Sequence, residues 1–448
     1  MPQKIQVKNI RPGNPGLSGW YAILPEPEPT HVLEEDLTAD WLVIGGGFAG
    51  LSAARRLLQL REKESIVLLD SIRIGEGSSG RNSGFMIDLP HDISSDSYAG
   101  AVERDIRQTM QNRYAIAFAA KTAAEYGFSQ EVFNPCGKIN GAASEKGDRH
   151  NREYVVHLNS MGEESTWLDA SDMKRITGSD YYLSGLLTPK TVTIQAAAYV
   201  RGFAQGLSRN VNIYENSPVI AMKRADGIWK VTTPKGSVSA PKVILCVNGH
   251  LQSFGFLKQR LMHIFLYASM TRSMTTEEIR RLGGEPSWGV APANPFGSSV
   301  RKICGVGGHR ILMRNKFHFN STMEASDRDI QRTVRNHDRS FQRRFPMLKN
   351  LEMEYRWGGR LCLSWNGVPV FGEIEDGLFS ACCQNGVGVS KGTLSGILAA
   401  EYSSGFQNSY IEDYLNEKQP TRLPPEPIAT MGATAYLNWQ EWRAGLEK

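Results

Sequence analysis

The sequence predicts an α/β fold, α+β overall: a discontinuous Rossmann-like nucleotide-binding domain with a β-meander, plus a second domain with a mixed antiparallel sheet and helices. Three observations predict it. Residues 40–70 read as strand, Gly-x-Gly-x-x-Gly turn, helix and a second strand ending in an acid. Residues 191–250 read as another βα unit, then hairpins, then a further buried strand. Residues 376–402, far along the chain, read as strand, glycine turn and helix.

The first unit names a ligand class. Leu42–Ile44 is an unbroken apolar run, as in a parallel strand covered on both faces. Gly45 allows the tight turn, Gly47 lets the backbone approach a pyrophosphate, and Gly50 lets the helix pack close to the strand. Phe48 and Ala49 lie within the turn, and Leu51, Ala54, Leu57 and Leu58 recur at helical spacing. The helix N-terminus then offers free N–H groups and a positive dipole end to an anion. Asp70, followed by Ser71, ends the second strand about 20 residues after the last glycine, where a dinucleotide site needs an acceptor for a ribose hydroxyl.

Composition narrows the class further. A chain of 448 residues exceeds one ordinary domain. Its 51 basic and 46 acidic residues leave a net charge of +5, and no long Lys/Arg run exists, which argues against a nucleic-acid partner. The six cysteines form no Cys-x-x-Cys pair and read as reduced thiols in a cytoplasmic protein. The nine histidines are scattered, none paired with cysteine at zinc-ligand spacing, so no metal is expected. Met1 to about Asn14 is polar and lacks the apolar core of a secretory signal. No apolar run is long enough to predict a transmembrane segment.

The elements follow in order. Residues 1–39 form an extended N-terminal segment with the proline-rich stretch Pro25–Pro29, expected over a surface or interface and anchored by Trp20 and Tyr21. A helical pattern runs from about Asp96 to Tyr126, and residues 130–190 mix short strands, turns and helix. Strand Thr191–Ile194, helix Gln195–Leu207 and strand Val211–Tyr214 follow. A meander then runs through Val219–Lys223, Ile228–Thr233 and Ser237–Ala240, its first turn marked by Asp226-Gly227. Strand Lys242–Val247 ends in Asn248-Gly249. Residues 251–355 carry strands near Phe265–Thr271 and Lys302–Val306 and a charged helix, Asp327–Arg344. Arg356-Trp-Gly-Gly-Arg360 leads into Ser364–Gly372. Strand Leu378–Cys382 and the turn Asn385-Gly-Val-Gly388 then open a helix to about Tyr402. This ordering assigns 40–95, 191–250 and 356–448 to the nucleotide domain, and 96–190 with 251–355 to the substrate domain.

Four blocks, in order, carry a family resemblance: Gly45–Gly50 with Asp70; Gly77-Ser-Ser-Gly-Arg-Asn-Ser-Gly84; Val219 with the later Asn248-Gly249; and Trp357-Gly-Gly-Arg360 with Asn366–Gly372 and Leu378–Gly388. The chain resembles the FAD-dependent amine and amino-acid oxidoreductases that include D-amino acid oxidase, glycine oxidase and sarcosine oxidase. Its N-terminal tail and Asp88–Asp92 look most like the gamma-glutamylputrescine oxidase branch. The resemblance implies FAD, held non-covalently, and a small amine or amino-acid substrate, with oxygen or another electron acceptor. It implies that Ser78, Ser79, Gly80, Arg81, Asn82, Ser83 and Gly84 pass close to pyrophosphate and flavin. Arg81 would pair with phosphate or order that loop. Val219 would meet the adenine edge by its backbone, or serve only as a strand residue. Asn248, Gly249, Trp357 and Gly359 complete the expected cofactor contacts. Asn385, Gly386, Val387 and Gly388 would present N–H groups to the flavin N1–C2=O edge, which gains charge on reduction. Gly392 and Gly396 share one face of that last helix and permit a close helical neighbour. The chain departs from the family's pattern at Asp70, where glutamate is usual, and at Asn366, where aspartate is common.

The reaction the resemblance implies is hydride transfer from the carbon beside an amine to flavin N5, with hydrolysis of the imine, and it requires no obligatory side-chain base if the amine binds neutral. Candidates for positioning the substrate are Met86, His91, Tyr267, Arg301 and Arg310, the arginines through a carboxylate. Two other readings stay open: a flavin monooxygenase reduced by NAD(P)H, and an FAD-holding subunit of a heteromer.

Overall fold

The computed structural model describes residues 4–8, 11–90, 95 and 98–448. Its nucleotide half is built on a six-stranded sheet. Trp41–Ile44 lies between Ile66–Leu69 and Lys242–Leu245, Asn212–Tyr214 extends one edge, and Leu378–Cys382 extends the other, all parallel. Val370–Glu375 closes the sheet antiparallel. The apolar runs read from the sequence are explained by burial on both sides. On one face, Val43, Leu68 and Ile244 pack under Leu51, Ala54 and Leu57 of the helix Phe48–Leu60, and under the helices Ala196–Leu207 and Gly388–Ser403. On the other, Leu42, Ile44, Val67 and Val243 meet Met222, Trp229, Val231 and Val238 of the meander.

The meander strands are Ala221–Ala225, Ile228–Thr232 and Ser237–Ala240, and the N-terminal segment completes their sheet at both edges. Lys4–Gln6 pairs antiparallel with the first, and Asp36–Thr38 pairs parallel with the last. The segment is therefore woven into the fold, and Trp20, fully buried, donates through Nε1 to the Asn82 carbonyl at 2.8 Å.

The second half is an eight-stranded mixed sheet, whose strands run Met353–Ser364, Leu261–Thr271, Arg310–Phe319, Ser299–Ile303, Trp288–Pro292, Lys138–Ala142, Ser184–Thr188, Thr166–Asp169 across it. The helix Asp327–Arg344 matches its predicted span, and its buried side packs on this sheet. Three sequence boundaries shift. The long helix spans Val102–Glu125, later than its pattern suggests. The strand expected at Lys302–Val306 is Ser299–Ile303, because Gly305 and Gly308 take positive φ and turn the chain back into Arg310–Phe319. The division at 355/356 falls inside Met353–Ser364, which pairs along its whole length with Leu261–Thr271. The helix Ile428–Ala444 also belongs with the large sheet: Leu437 and Ala444 pack with Ile264, Phe296 and Phe319, and Glu441 pairs with Lys316. Among the described residues no helix is long and apolar enough to cross a membrane.

Candidate active site

A cleft opens beyond the C-terminal ends of the parallel strands, the usual ligand position in such sheets. Of the predicted residues, Gly45, Gly47, Asp70, Ser71, Ser78, Ser79, Val219 and Asn248 line it. The glycines are sterically enforced. A Cβ on Gly50 would lie 1.7 Å from the Gly45 carbonyl oxygen, and Gly45 itself has φ +108°. Asp70 accepts the Gly46 N–H at 2.7 Å through one oxygen and the Ile72 N–H at 3.0 Å through the other. Burial raises its pKa, and those two N–H groups oppose the rise by stabilising the carboxylate.

The loop after the second strand folds back onto the same helix terminus. Ser79 Oγ accepts the Phe48 N–H at 3.2 Å, which joins the two predicted glycine-rich loops into one wall. Asn82 holds the loop's shape, donating to the Ser79 carbonyl at 2.6 Å and accepting from the Gly84 N–H at 2.8 Å. Ser83 stays half-buried beside it. Arg81 takes the loop-ordering role. Its buried guanidinium donates to the carbonyls of Asn14, Pro15 and Gly16, and burial lowers its pKa to about 10. Trp357 donates to the Arg81 carbonyl at 3.1 Å, and Gly359 leaves only 3.0 Å between a would-be Cβ and that same oxygen. These two residues hold the loop in place. Gly80 does likewise, packed on Gly75, while Gly249 packs elsewhere, on His263 and Cys362.

The far turn has a different character. Val387, the N-cap of the sixteen-residue helix Gly388–Ser403, sits at φ +46°, ψ +36°. A β-branched residue in this left-handed region is a strained outlier. No side chain caps the helix, and neither Gly386 nor Gly388 has any atom within 4 Å of a would-be Cβ. The start of this helix is therefore left without a side-chain cap, with room beside both glycines. Asn385 braces the turn from behind, accepting from the Ser364 N–H at 2.7 Å and donating to the Val368 carbonyl at 2.7 Å. Gly396 does what its spacing implies: its would-be Cβ falls 2.0 Å from the Ala49 carbonyl, so this helix presses against Phe48–Leu60. Both helix starts belong to one tightly packed helix pair.

The substrate-side candidates fare less well. Met86 is wholly buried in the strand Phe85–Met86 paired with Val192. His91 lies outside the described residues. Tyr267 is buried and meets His318 Nδ1 at 3.3 Å, in a cluster with Phe265 and Ile330 on the sheet face carrying Asp327–Arg344. Arg301 is spent on the carbonyls of Gly84 and Ile194 at 2.8 and 2.7 Å, with Trp20 and Phe85 stacked against it. Arg310 pairs with Glu354 and donates to the Gly307 and Thr271 carbonyls at 2.7 Å. Arg310 is committed to protein acceptors, its cation paired with Glu354, while Arg301 is buried and held by two carbonyls through Nη1 alone, its Nε without a partner among the described residues.

Three residues that the sequence did not single out for a ligand stand in their place. Arg360 and His250 line the cleft in contact with one another, and burial together with that cation holds the His250 pKa well below its ordinary value. Arg314 is on the sheet face opposite Tyr267. It aligns with Ala268 and Ser299, and its Nη2 donates to Ser299 Oγ at 3.2 Å. Burial lowers its pKa to about 10, yet the residue keeps accessible surface and pairs with no carboxylate among the described residues. Leu266, Phe317, Leu361 and Leu363, on the same face, are half-buried and form an apolar floor beside it. A bulge at Leu266/Tyr267, with Lys316 at φ +62°, creates this register; plain alternation along the strand would not reveal it.

Comparison with known proteins follows the same lines. The family model DAO, described as FAD dependent oxidoreductase, matches residues 40–402. A probable oxidoreductase OrdL of Haemophilus influenzae is 27% identical over 371 residues, covering 81% of this chain and 82% of that protein. The gamma-glutamylputrescine oxidoreductase of Escherichia coli is 26% identical over 385 residues, covering 84% and 86%. Among solved structures, glycine oxidase from Geobacillus kaustophilus superposes with a TM-score of 0.68 at 16% identity, covering 87% of this chain and 100% of that one. L-amino acid deaminase from Proteus myxofaciens gives 0.68 at 13% identity, covering 93% and 99%.

Proposed function

The chain belongs to the FAD-dependent oxidoreductase family, and from that premise we propose that it oxidises the C–N bond of a small amine or amino acid that carries an anionic group. The observation that carries the reading is the open, strained helix start at Gly386–Gly388, set against the glycine cleft by the packing of Gly396 on Ala49.

The residues fit an FAD. The cleft has a pyrophosphate-type wall in Gly45–Gly50 and Ser78–Ser79, an acidic residue for a ribose in Asp70, and Val219 and Asn248 along its side. When bound, the flavin accepts a hydride from the substrate carbon and so supplies the oxidising power. The remaining work falls to the protein. The N–H groups at Gly386–Gly388 favour negative charge on whatever they face, which stabilises a reduced, anionic ring more than an oxidised one. Arg314 would take the substrate's anionic end, while Leu266, Phe317 and Leu361 exclude water from the C–H bond being broken. No side chain need accept a proton if the amine binds neutral, and the resulting imine is hydrolysed to a carbonyl compound and a smaller amine. FAD is held without a covalent bond. Cys362, the cysteine nearest the Trp357–Arg360 segment, is buried against the Cys383 thiol, and its pKa is raised well above normal by that contact and by burial, which disfavours a nucleophilic thiolate.

Product analysis tests the reading. Incubating the yellow protein with amino acids, N-alkyl glycines and ω-carboxylated diamines should release a carbonyl compound, trapped as its hydrazone, in stoichiometry with amine lost. Carbonyl formation that depends on NAD(P)H and dioxygen would favour the monooxygenase reading instead. A purified chain that turns over only after a second polypeptide is added would favour the heteromer subunit.

A further inference from the structure

The helix Ile428–Ala444 has two unlike sides. Its inner side is fixed: Leu437 and Ala444 are buried on the large sheet, Glu441 bonds Lys316 and the Phe317 N–H, and Tyr436 stacks edge-on with Phe296. Its outer side is a stripe of apolar side chains at helical spacing. Ile428 is 60% exposed, Met431 67%, Trp439 49%, Trp442 77% and, just beyond the helix end, Leu446 52%, with Ala435 exposed among them. The stripe residues themselves are uncharged; Arg443, at their flank, lies over the Trp439 ring, 4.7 Å from its centroid. Next to it is Gly432, exposed, with no atom within 4 Å of a would-be Cβ. Glycine weakens a helix interior relative to alanine, and nothing within the chain requires it here.

We propose that this stripe is the contact face between two copies of the chain, paired antiparallel about a two-fold axis near Ala435. Three features select a second copy over other occupants. The first is self-complementarity, which a two-fold contact demands. Pairing about residue 435 sets Met431 of one copy against Trp439 of the other and Ile428 against Trp442, so each large ring meets a flexible aliphatic chain. The second is close approach: Gly432 and Ala435 at the centre let two helix backbones come near, a feature of helix–helix contacts that a lipid surface does not call for. The third is area. The exposed parts of these side chains amount to roughly 600–700 Å², near the ~800 Å² each partner gives a standard interface and larger than a soluble monomer commonly leaves bare. A lipid surface would also be expected to draw several basic side chains along the stripe's flanks, and the helix offers only Arg443.

The test uses the full, FAD-loaded chain. Light scattering behind size exclusion at tens of micromolar should give the mass of two chains. Ala435→Cys, in a Cys136→Ser background because Cys136 is exposed, should form a disulfide-linked dimer under mild oxidant, since residues at a two-fold axis meet their own copies. Thr434→Cys, about 100° around the helix, should cross-link at least tenfold less. Trp442→Glu should give the mass of one chain while keeping flavin absorbance and helical circular dichroism. Should Trp442→Glu fail to fold, the cysteine pair still decides. A monomeric wild type overturns the proposal, whether or not it floats with anionic phosphatidylglycerol vesicles. So does a dimer in which Ala435→Cys cross-links no better than Thr434→Cys.

Discussion

The two walls of the candidate site are made from different materials. The proposed cofactor wall is mostly backbone: turns at Gly45–Gly50 and Gly386–Gly388, two helix starts, and the loop 78–84, shaped by Asn82 and tied to the first helix start by Ser79. The proposed substrate wall is side chain: Arg314, over the Phe317 ring, shares a sheet face with Leu266 and Leu361, assembled by strands from three distant parts of the chain. Backbone sites need particular φ values and missing Cβ atoms, so they leave glycines at fixed spacing. Side-chain sites need only that the right residues share a sheet face. The first kind should tolerate almost no change in shape; the second should tolerate change in shape and little change in charge.

The largest effect is expected at the backbone wall. Gly50→Val places a methyl-bearing carbon against the Gly45 carbonyl, and overpacking of this kind costs about 3 kcal/mol or more. Flavin occupancy, read as absorbance near 450 nm per mole of protein, should fall by about 100-fold in affinity terms. Retained occupancy would mean the turn is not where the dinucleotide lies. At the substrate wall, Arg314→Gln should keep full flavin occupancy, raise KM for anionic amines by about 10–100-fold, and change kcat little, the pattern of lost uniform binding. An unchanged KM would remove Arg314 from the site.

Asp70 joins the two kinds of wall, being a side chain fixed by the backbone. Asp70→Asn should weaken FAD by about tenfold, or 1.4 kcal/mol, through loss of a charged acceptor. It also has a signature in pH. Burial raises the folded pKa of Asp70, so the folded apoprotein binds that proton more tightly than the unfolded chain does. Its contribution to stability is present below its ordinary value of 3.8 and is lost as pH rises through the raised folded value. The melting temperature of the flavin-free wild type should therefore fall more steeply above pH ~4 than that of Asp70→Asn; parallel curves would show that Asp70 is not strained by burial. The smallest effect is expected from Val387→Gly, which relieves the left-handed valine and should stabilise the apoprotein by about 1 kcal/mol in denaturant melts.

This contrast also explains what the sequence disclosed. The parallel strands, the meander, the helix Asp327–Arg344 and both glycine turns were legible because each is signalled by residues close together in the chain. The role of Gly396 was legible from spacing alone. Arg301 and Arg310 show the limit of such signals, because an arginine in a strand reads the same whether a substrate or a carbonyl awaits it. What distinguishes Arg314 is that, among the described residues, it has no carboxylate or carbonyl partner, and its setting depends on strands from elsewhere and on a bulge at Leu266/Tyr267. The boundary at 355/356 failed for a related reason. Met353–Ser364 runs from one half of the molecule to the other, carrying Trp357 and Gly359 to the loop at Arg81, and no local signal marks such a crossing.

The most direct test of the central claim is anaerobic reduction of the bound flavin. Small amines and amino acids, with and without a carboxylate, would be mixed with the FAD-loaded chain under nitrogen, beside NADPH, and the band near 450 nm followed. At least one carboxylate-bearing amine should bleach the band, markedly more slowly in Arg314→Gln, and NADPH should not bleach it. Bleaching by NADPH with none by any amine would contradict the claim.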